Sequence, residues 1–239
     1  MTPFAQSSGP VIPDFGGGGD CVRENRTFCW GWFEDNWGDI FQPALLEHIK
    51  LTAIAVGIGF AIALVAALVA HRRGWFEGPF TLFAGILYTI PSLALFQLLV
   101  PITGLTVTTA EIALVSYTLL ILFRNILTGL RGVPEDVKEA ARGMGLSSRQ
   151  ILWRVELPLA TPAIVAGLRV AVVTVISLAT VAAFIVDEGL GTPIFNSIAS
   201  PFNTAFIAAG GLAVALALAA DALLVGLQRL ITPWAVRRT

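Results

Sequence analysis

Residues 51–70 read LTAIAVGIGFAIALVAALVA, twenty consecutive positions without one charged side chain. A bilayer core of about 30 Å needs about 20 apolar residues at 1.5 Å each, so this stretch predicts a membrane-spanning helix. Four comparable runs follow, at residues 79–100 with Pro91 inside, 106–123, 163–186 and 205–227. The fold class read from them is an all-α integral membrane protein with about five transmembrane helices.

Composition points the same way. The 239 residues are 56% hydrophobic and 13% charged, with a mean hydropathy of +0.79. A soluble domain carries nearer a quarter charged residues, because water must solvate its surface; here the expected neighbour is membrane lipid. A net charge of −1 leaves no electrostatic footprint for a nucleic acid partner.

Residues 1–44 lack the basic start, apolar centre and small-residue cleavage site of a secretory signal. They run polar and Gly-rich at 16–19, then acidic and aromatic, and read as an extracytoplasmic tail. Residues 45–234 form the membrane domain, and 235–239 a cytoplasmic tail.

Direction follows from the cations, which are retained on the cytoplasmic side. Arg72 and Arg73 follow the first run. Arg124, Arg131, Lys138, Arg142, Arg149 and Arg154 lie in the long connection 124–158, and Arg229, Arg237 and Arg238 near the end. The other side has only Arg23, Arg26 and Lys50, and the connections 101–110 and 187–203 have none. The N-terminus is therefore expected outside and the C-terminus inside. Ala55, Gly59, Ala63 and Ala67 recur every four residues, as do Ala205, Ala209, Ala213 and Ala217. Small residues at that spacing let helix backbones approach closely.

The segment 124–158 is too polar to span. Pro134 before Glu135 and Asp136 marks a helix start, since Pro suits the first position and acids suit the positive end of the dipole. Gly143 and Gly145 weaken that helix. Ser147 with Gln150 reads as a capping box opening a second short helix. Its Ile151, Leu152 and Val155 make an apolar stripe, and Leu157-Pro158 is expected to end it. A short helical hairpin with a glycine hinge has the shape to dock into another protein.

At this point a resemblance becomes specific. The permeases of binding-protein-dependent ABC importers share a signature of Glu-Ala-Ala, three residues, Gly, nine residues, then an aliphatic, any residue and Leu-Pro. This chain has Glu139-Ala140-Ala141, Gly145, Val155, Leu157 and Pro158 with both gaps of that length. The resemblance, spanning roughly 45–234, implies that the segment is the coupling helix seated on an ATPase subunit. It implies a multi-pass permease of the bacterial inner membrane, not itself an enzyme. The implied partners are two ABC ATPase subunits, a second permease (self or paralogue) and an extracytoplasmic substrate-binding protein. No G-x-x-x-x-G-K-[ST] loop is present in the sequence, so ATP and Mg are expected on the partner ATPase and no cofactor in this subunit. Alternating access would then be driven from outside the chain.

Ile90-Pro91-Ser92-Leu93-Ala94, Leu157-Pro158-Leu159-Ala160-Thr161-Pro162 and Ala179-Thr180-Val181-Ala182 with Gly189-Leu190-Gly191 resemble the osmoprotectant permeases. That branch implies glycine betaine, choline, carnitine or proline-like solutes. Methionine-type permeases, with five spans and a similar Gly-Leu-Gly exit, are the alternative. Val186-Asp187-Glu188 stands where the osmoprotectant branch usually has glycines.

Glu111, Arg169 and Asp221 fall inside apolar runs, where burying a charge is costly and ionisable groups are functional candidates. Glu111 sits near the outer end of its span, within reach of interfacial water. Arg169 is placed to snorkel to the cytoplasmic headgroups, and Asp221 sits in the inner half of its span. Each has a structural reading and a pathway or gating reading. Pro91, with Ser92 beside it, is expected to kink the second span and so to shape the pathway. Cys21 and Cys29, in an oxidising compartment, are expected to form a disulfide rather than two free thiols or a metal site. Trp30, Trp32, Phe33 and Trp37 read as an interfacial segment, or as a contact for the binding protein or substrate. A secondary transporter would leave the signature unexplained. A membrane-anchored enzyme would need a catalytic constellation, and His48 and His71 fall on opposite sides.

Overall fold

The computed structural model describes residues 19–232. The glycines at 16–18, Arg237, Arg238 and the 235–239 tail lie outside the described residues. Two short helices open the chain, α1 (Asp20–Arg23) and α2 (Trp30–Asp35). A π-helical turn, Trp37–Phe41, then runs into α3 (Gln42–Arg72). After the 3-10 turn Gly74–Phe76 come α4 (Glu77–Thr89), α5 (Ser92–Thr103) and α6 (Val107–Arg131). The hairpin helices α7 (Glu135–Gly143) and α8 (Ser148–Ile151) follow. A second π turn, Leu152–Glu156, leads into α9 (Leu157–Ala182), then α10 (Gly191–Ala199) and α11 (Asn203–Ile231). Among the described residues there is no strand.

Four unbroken helical runs are long and apolar enough to cross a membrane: Trp37–Arg72, Val107–Arg131, Ser148–Ala182 and Asn203–Ile231. The run at residues 79–100 is broken. α4 and α5 meet at 100°, and at 13 and 12 residues neither alone reaches across about 30 Å. Pro91 therefore interrupts this span, where a kink was expected. The physical cause is local: a proline disfavours the helical region for the residue before it. Ile90 is extended (φ −66°, ψ 129°) and so is Pro91 (φ −55°, ψ 137°). The Ile90 carbonyl released by the break accepts the Tyr117 hydroxyl of α6.

α6 is the central post, packed by α3, α9, α4 and α5. Its N-terminal half shares a core with Ala55, Val175 and Ala179, and its C-terminal half with Ala63, Ala67, Leu152 and Ala160. The four-residue stripe on α3 is what brings these helices together. Ala55, Gly59, Ala63 and Ala67 are all buried, and a Cβ at Gly59 would fall on the Thr118 Oγ1 of α6. On α11, Ala205, Ala209 and Ala213 are buried and Ala217 is half-buried.

Two boundaries differ from the sequence expectation. The third span does not stop at Phe123 but continues to Arg131, because Phe123, Ile126, Leu127 and Leu130 keep one face buried while Arg124 turns outward. Leu157-Pro158 does not end the second hairpin helix either, since the rod runs from Ser148 to Ala182. A proline inside a helix lacks an N–H and crowds the preceding turn. The π turn Leu152–Glu156, one residue ahead of Pro158, supplies the wider turn that accommodates it.

The opening segment is fastened to the start of α11. Cys21 and Cys29 are joined by a disulfide, the Cys29 N–H donates to Thr204 Oγ1 at 2.9 Å, and the Asn203 N–H donates to Asn25 Oδ1 at 2.9 Å. Trp32 is buried edge-on against Phe202 at 4.6 Å between ring centroids. It serves packing within the chain, whereas Trp30 is exposed and donates to Glu34 at 2.7 Å.

Candidate functional site

The hairpin is built by its own sequence. Pro134 caps α7, and Glu135 and Asp136 occupy the first turn. Glu135 pairs with Lys138 at 2.7 Å and Arg142 at 2.8 Å, and these two hydrogen bonds hold its carboxyl below the usual carboxylate range. α7 ends in a Schellman turn. The Leu146 N–H bonds the Ala141 carbonyl and the Gly145 N–H bonds the Arg142 carbonyl, with Gly145 at φ +81°. That conformation is open to glycine at little cost. Ser147 and Gln150 then close a reciprocal capping box.

The signature residues divide between two surfaces. Glu139, Ala140 and Gly145 are exposed, while Ala141 is buried. Val155, Leu157 and Pro158 are half-buried in the π turn and the start of α9. The stripe expected on the second helix faces inward: Ile151 and Leu152 are buried in the chain's own core, because the rod they belong to packs along α6 and α3. The apolar groups left outward near the turn are Val137 and Met144. The hairpin is tied to the bundle by Glu156, which is buried and meets His71 Nε2 at the end of α3 at 3.1 Å. The sequence signal for this pair is a carboxylate on the inward face, four residues after Leu152, which demands a partner at that depth.

Arg169 and Asp221 are brought together. The guanidinium Nε and a terminal nitrogen donate to the two Asp221 oxygens at 2.7 and 2.9 Å. Arg169 therefore does not snorkel to the headgroups; a two-point fork on a carboxylate is a stronger interaction than a single-point contact. Their opposite signs at similar depth on the last two spans were the readable signal. Glu111 is not reached by interfacial water as expected. Both its oxygens are covered and carry no hydrogen bond among the described residues, because its stretch of α6 lies in the core shared with Ile185 and Val186. Pro91 is exposed and Ser92 half-buried at the α4–α5 break. His48, set aside in the sequence, accepts the Leu190 N–H on Nδ1 at 3.3 Å and lies 3.0 Å from the Ile176 carbonyl through Nε2. With Glu47, which accepts the Gly189 N–H at 2.9 Å, it holds the exit of α9 on α3. Among the described residues, no three His, Cys, Asp or Glu side chains form a metal-ligand set.

Charge separates the two ends of the bundle. The C-terminal half of α3, the C-terminal half of α6 and the start of α9 share one core. The N-terminal segment and the start of α11 share another at the opposite end. Arg72, Arg73, Arg124, Arg131, the hairpin cations, Arg154 and Arg229 thus gather at a single end.

Known proteins resemble this chain in sequence and in fold. It is 34% identical over 206 residues to the choline transport system permease protein OpuBB of Bacillus subtilis, covering 86% of this chain and 94% of that one. It is 37% identical to the osmoprotectant import permease protein OsmW of Salmonella typhimurium, covering 80% and 91%. Among solved structures, an inward-facing form of the MetNI methionine ABC transporter matches with a TM-score of 0.68 at 20% identity. That match covers 78% of this chain and 94% of the other, and it speaks to the fold. Residues 55–234 match a whole family, described as the binding-protein-dependent transport system inner membrane component, and the chain belongs to that family.

Proposed function

We propose that this chain is the permease subunit of an ATP-driven importer for osmoprotectants of the glycine betaine, choline, carnitine or proline type. The observation that carries the reading is the signature hairpin, exposed at the end where the cations gather. On this reading that end is cytoplasmic and the disulfide-bearing segment is outside. The exposed side of the hairpin, with Glu139, Ala140 and the Gly145 turn, meets an ATPase subunit that binds ATP and Mg. Two ATPases, a second permease, self or paralogue, and an external binding protein complete the transporter. Closure of the ATPases pulls on α7, and the Glu156–His71 contact and the continuous rod through α9 pass that displacement into the bundle. This subunit performs no hydrolysis itself.

The solute class rests on the relatives, whose names cite choline and osmoprotectants. Methionine permeases share the fold at an identity of 20%, which supports no substrate. Deleting the gene in a strain lacking other carriers is expected to abolish saturable uptake of betaine or choline at high osmolarity. Intact osmolyte uptake together with lost methionine uptake would move the assignment to the methionine type.

A further inference from the structure

At the cation-rich end a cavity of about 600 Å³ opens between the end of α3 and the start of the Ser148–Ala182 rod, where Arg149, Leu152 and Trp153 fall in the nine-residue gap of the signature. Three guanidinium side chains line it, Arg72, Arg73 and Arg149, and none has a carboxylate within ion-pair distance among the described residues. Of the acids at this end, Glu77 pairs with Arg131, Glu135 with Lys138 and Arg142, and Glu156 with His71, while Asp136 and Glu139 are exposed on α7 and do not line the cavity. Three like charges around one cavity repel unless an anion lies between them.

The rest of the lining has a different chemistry. Val65 and Leu68 lie one to two turns deeper along α3 and give the cavity an apolar wall, and Val65 is mostly exposed. Trp153, exposed at the rim, is the side chain favoured where hydrocarbon meets headgroups. Arg72 and Arg149 stand at the ends of two spans, so the cavity passes from water level into the hydrocarbon. One small anion would satisfy the arginines and leave the apolar wall wet. An amphiphile with an anionic head and an acyl chain satisfies both.

We infer that this cavity is a binding site for an anionic phospholipid. Arg72, Arg73 and Arg149 take the headgroup, and an acyl chain lies along Val65 and Leu68. The bound lipid bridges α3 to the second helix of the coupling hairpin, α8, at the start of the rod. The inference rests on the geometry of the cavity and not on the solute carried.

The test uses the full-length chain, assembled with its co-purifying subunits in nanodiscs of mixed phosphatidylglycerol and phosphatidylcholine, with retained lipid measured by mass spectrometry after detergent exchange. Phosphatidylglycerol is expected to be retained over phosphatidylcholine. R72Q/R149Q should lower that retention roughly tenfold or more. R124Q/R229Q removes the same charge elsewhere and should leave retention as in the parent. Val65→Trp, which fills the apolar wall and keeps every arginine, should lower retention too. Equal loss in both arginine pairs, equal retention of phosphatidylcholine, or unchanged retention in Val65→Trp would overturn the site. Complete displacement by inorganic phosphate alone would show a free-anion site, and retention appearing only after the other subunits are stripped away would show a protein contact. Either result also overturns it.

Discussion

Gly145→Leu is expected to release the ATPase from the transporter while the permease still reaches the membrane in normal amount. Gly145 holds φ +81° at the end of α7, and a side chain in that region costs about 1–2 kcal/mol. Beyond its two chain neighbours, no atom of the described residues lies within 4 Å of where a Cβ would stand, so the penalty is conformational and confined to the turn. The chain relieves it by leaving the left-handed region, which breaks the Schellman bonds and displaces α7 relative to the rod. The spans keep their hydrophobicity and insert as before. Glu139→Lys should act through the other element of the contact, since Glu139 is exposed and its reversal disturbs charge without disturbing packing. For both variants, ATPase retained on co-purification and solute uptake should fall by roughly tenfold or more, the scale of losing an interface hot spot. Parental retention and uptake in both would mean that the hairpin is not the coupling element.

Breaking the Arg169–Asp221 fork should have an effect of similar size by another route. Each side chain is about one-third exposed in the isolated chain (35% and 36%) at membrane depth, where an unpaired charge is expensive. Arg169→Gln leaves Asp221 alone and Asp221→Asn leaves Arg169 alone. Each is expected to lower the folded protein recovered from the membrane by about tenfold. The exchange R169D/D221R restores a pair between α9 and α11 and should recover most of that loss. Recovery is measured by monodisperse elution at matched expression. Singles at the parental level, or an exchange no better than the singles, would remove the pairing argument.

The features legible in the sequence are those whose cause is local. A run of apolar residues defines a span wherever it sits, and the Gly145 turn and Ser147 cap follow from residues within a few positions of each other. The depth of the Pro91 break was not legible, because the Ile90 carbonyl it frees is satisfied by Tyr117, 27 residues away. The rod through Pro158 depends on a π turn, which has no sequence period of its own. Ile151 and Leu152 form an apolar stripe as the spacing indicates, but spacing cannot distinguish a stripe facing a partner from one facing the chain's own core. The Arg169–Asp221 fork joins residues 52 apart; each was read as a cost at its own position, and the pairing needed the packing of α9 on α11.

The most direct test of the account is uptake of labelled glycine betaine or choline into proteoliposomes containing this permease with its ATPase and binding protein. The account predicts saturable accumulation that requires ATP and the binding protein and persists when ion gradients are collapsed. Accumulation without ATP that follows an imposed ion gradient would contradict it.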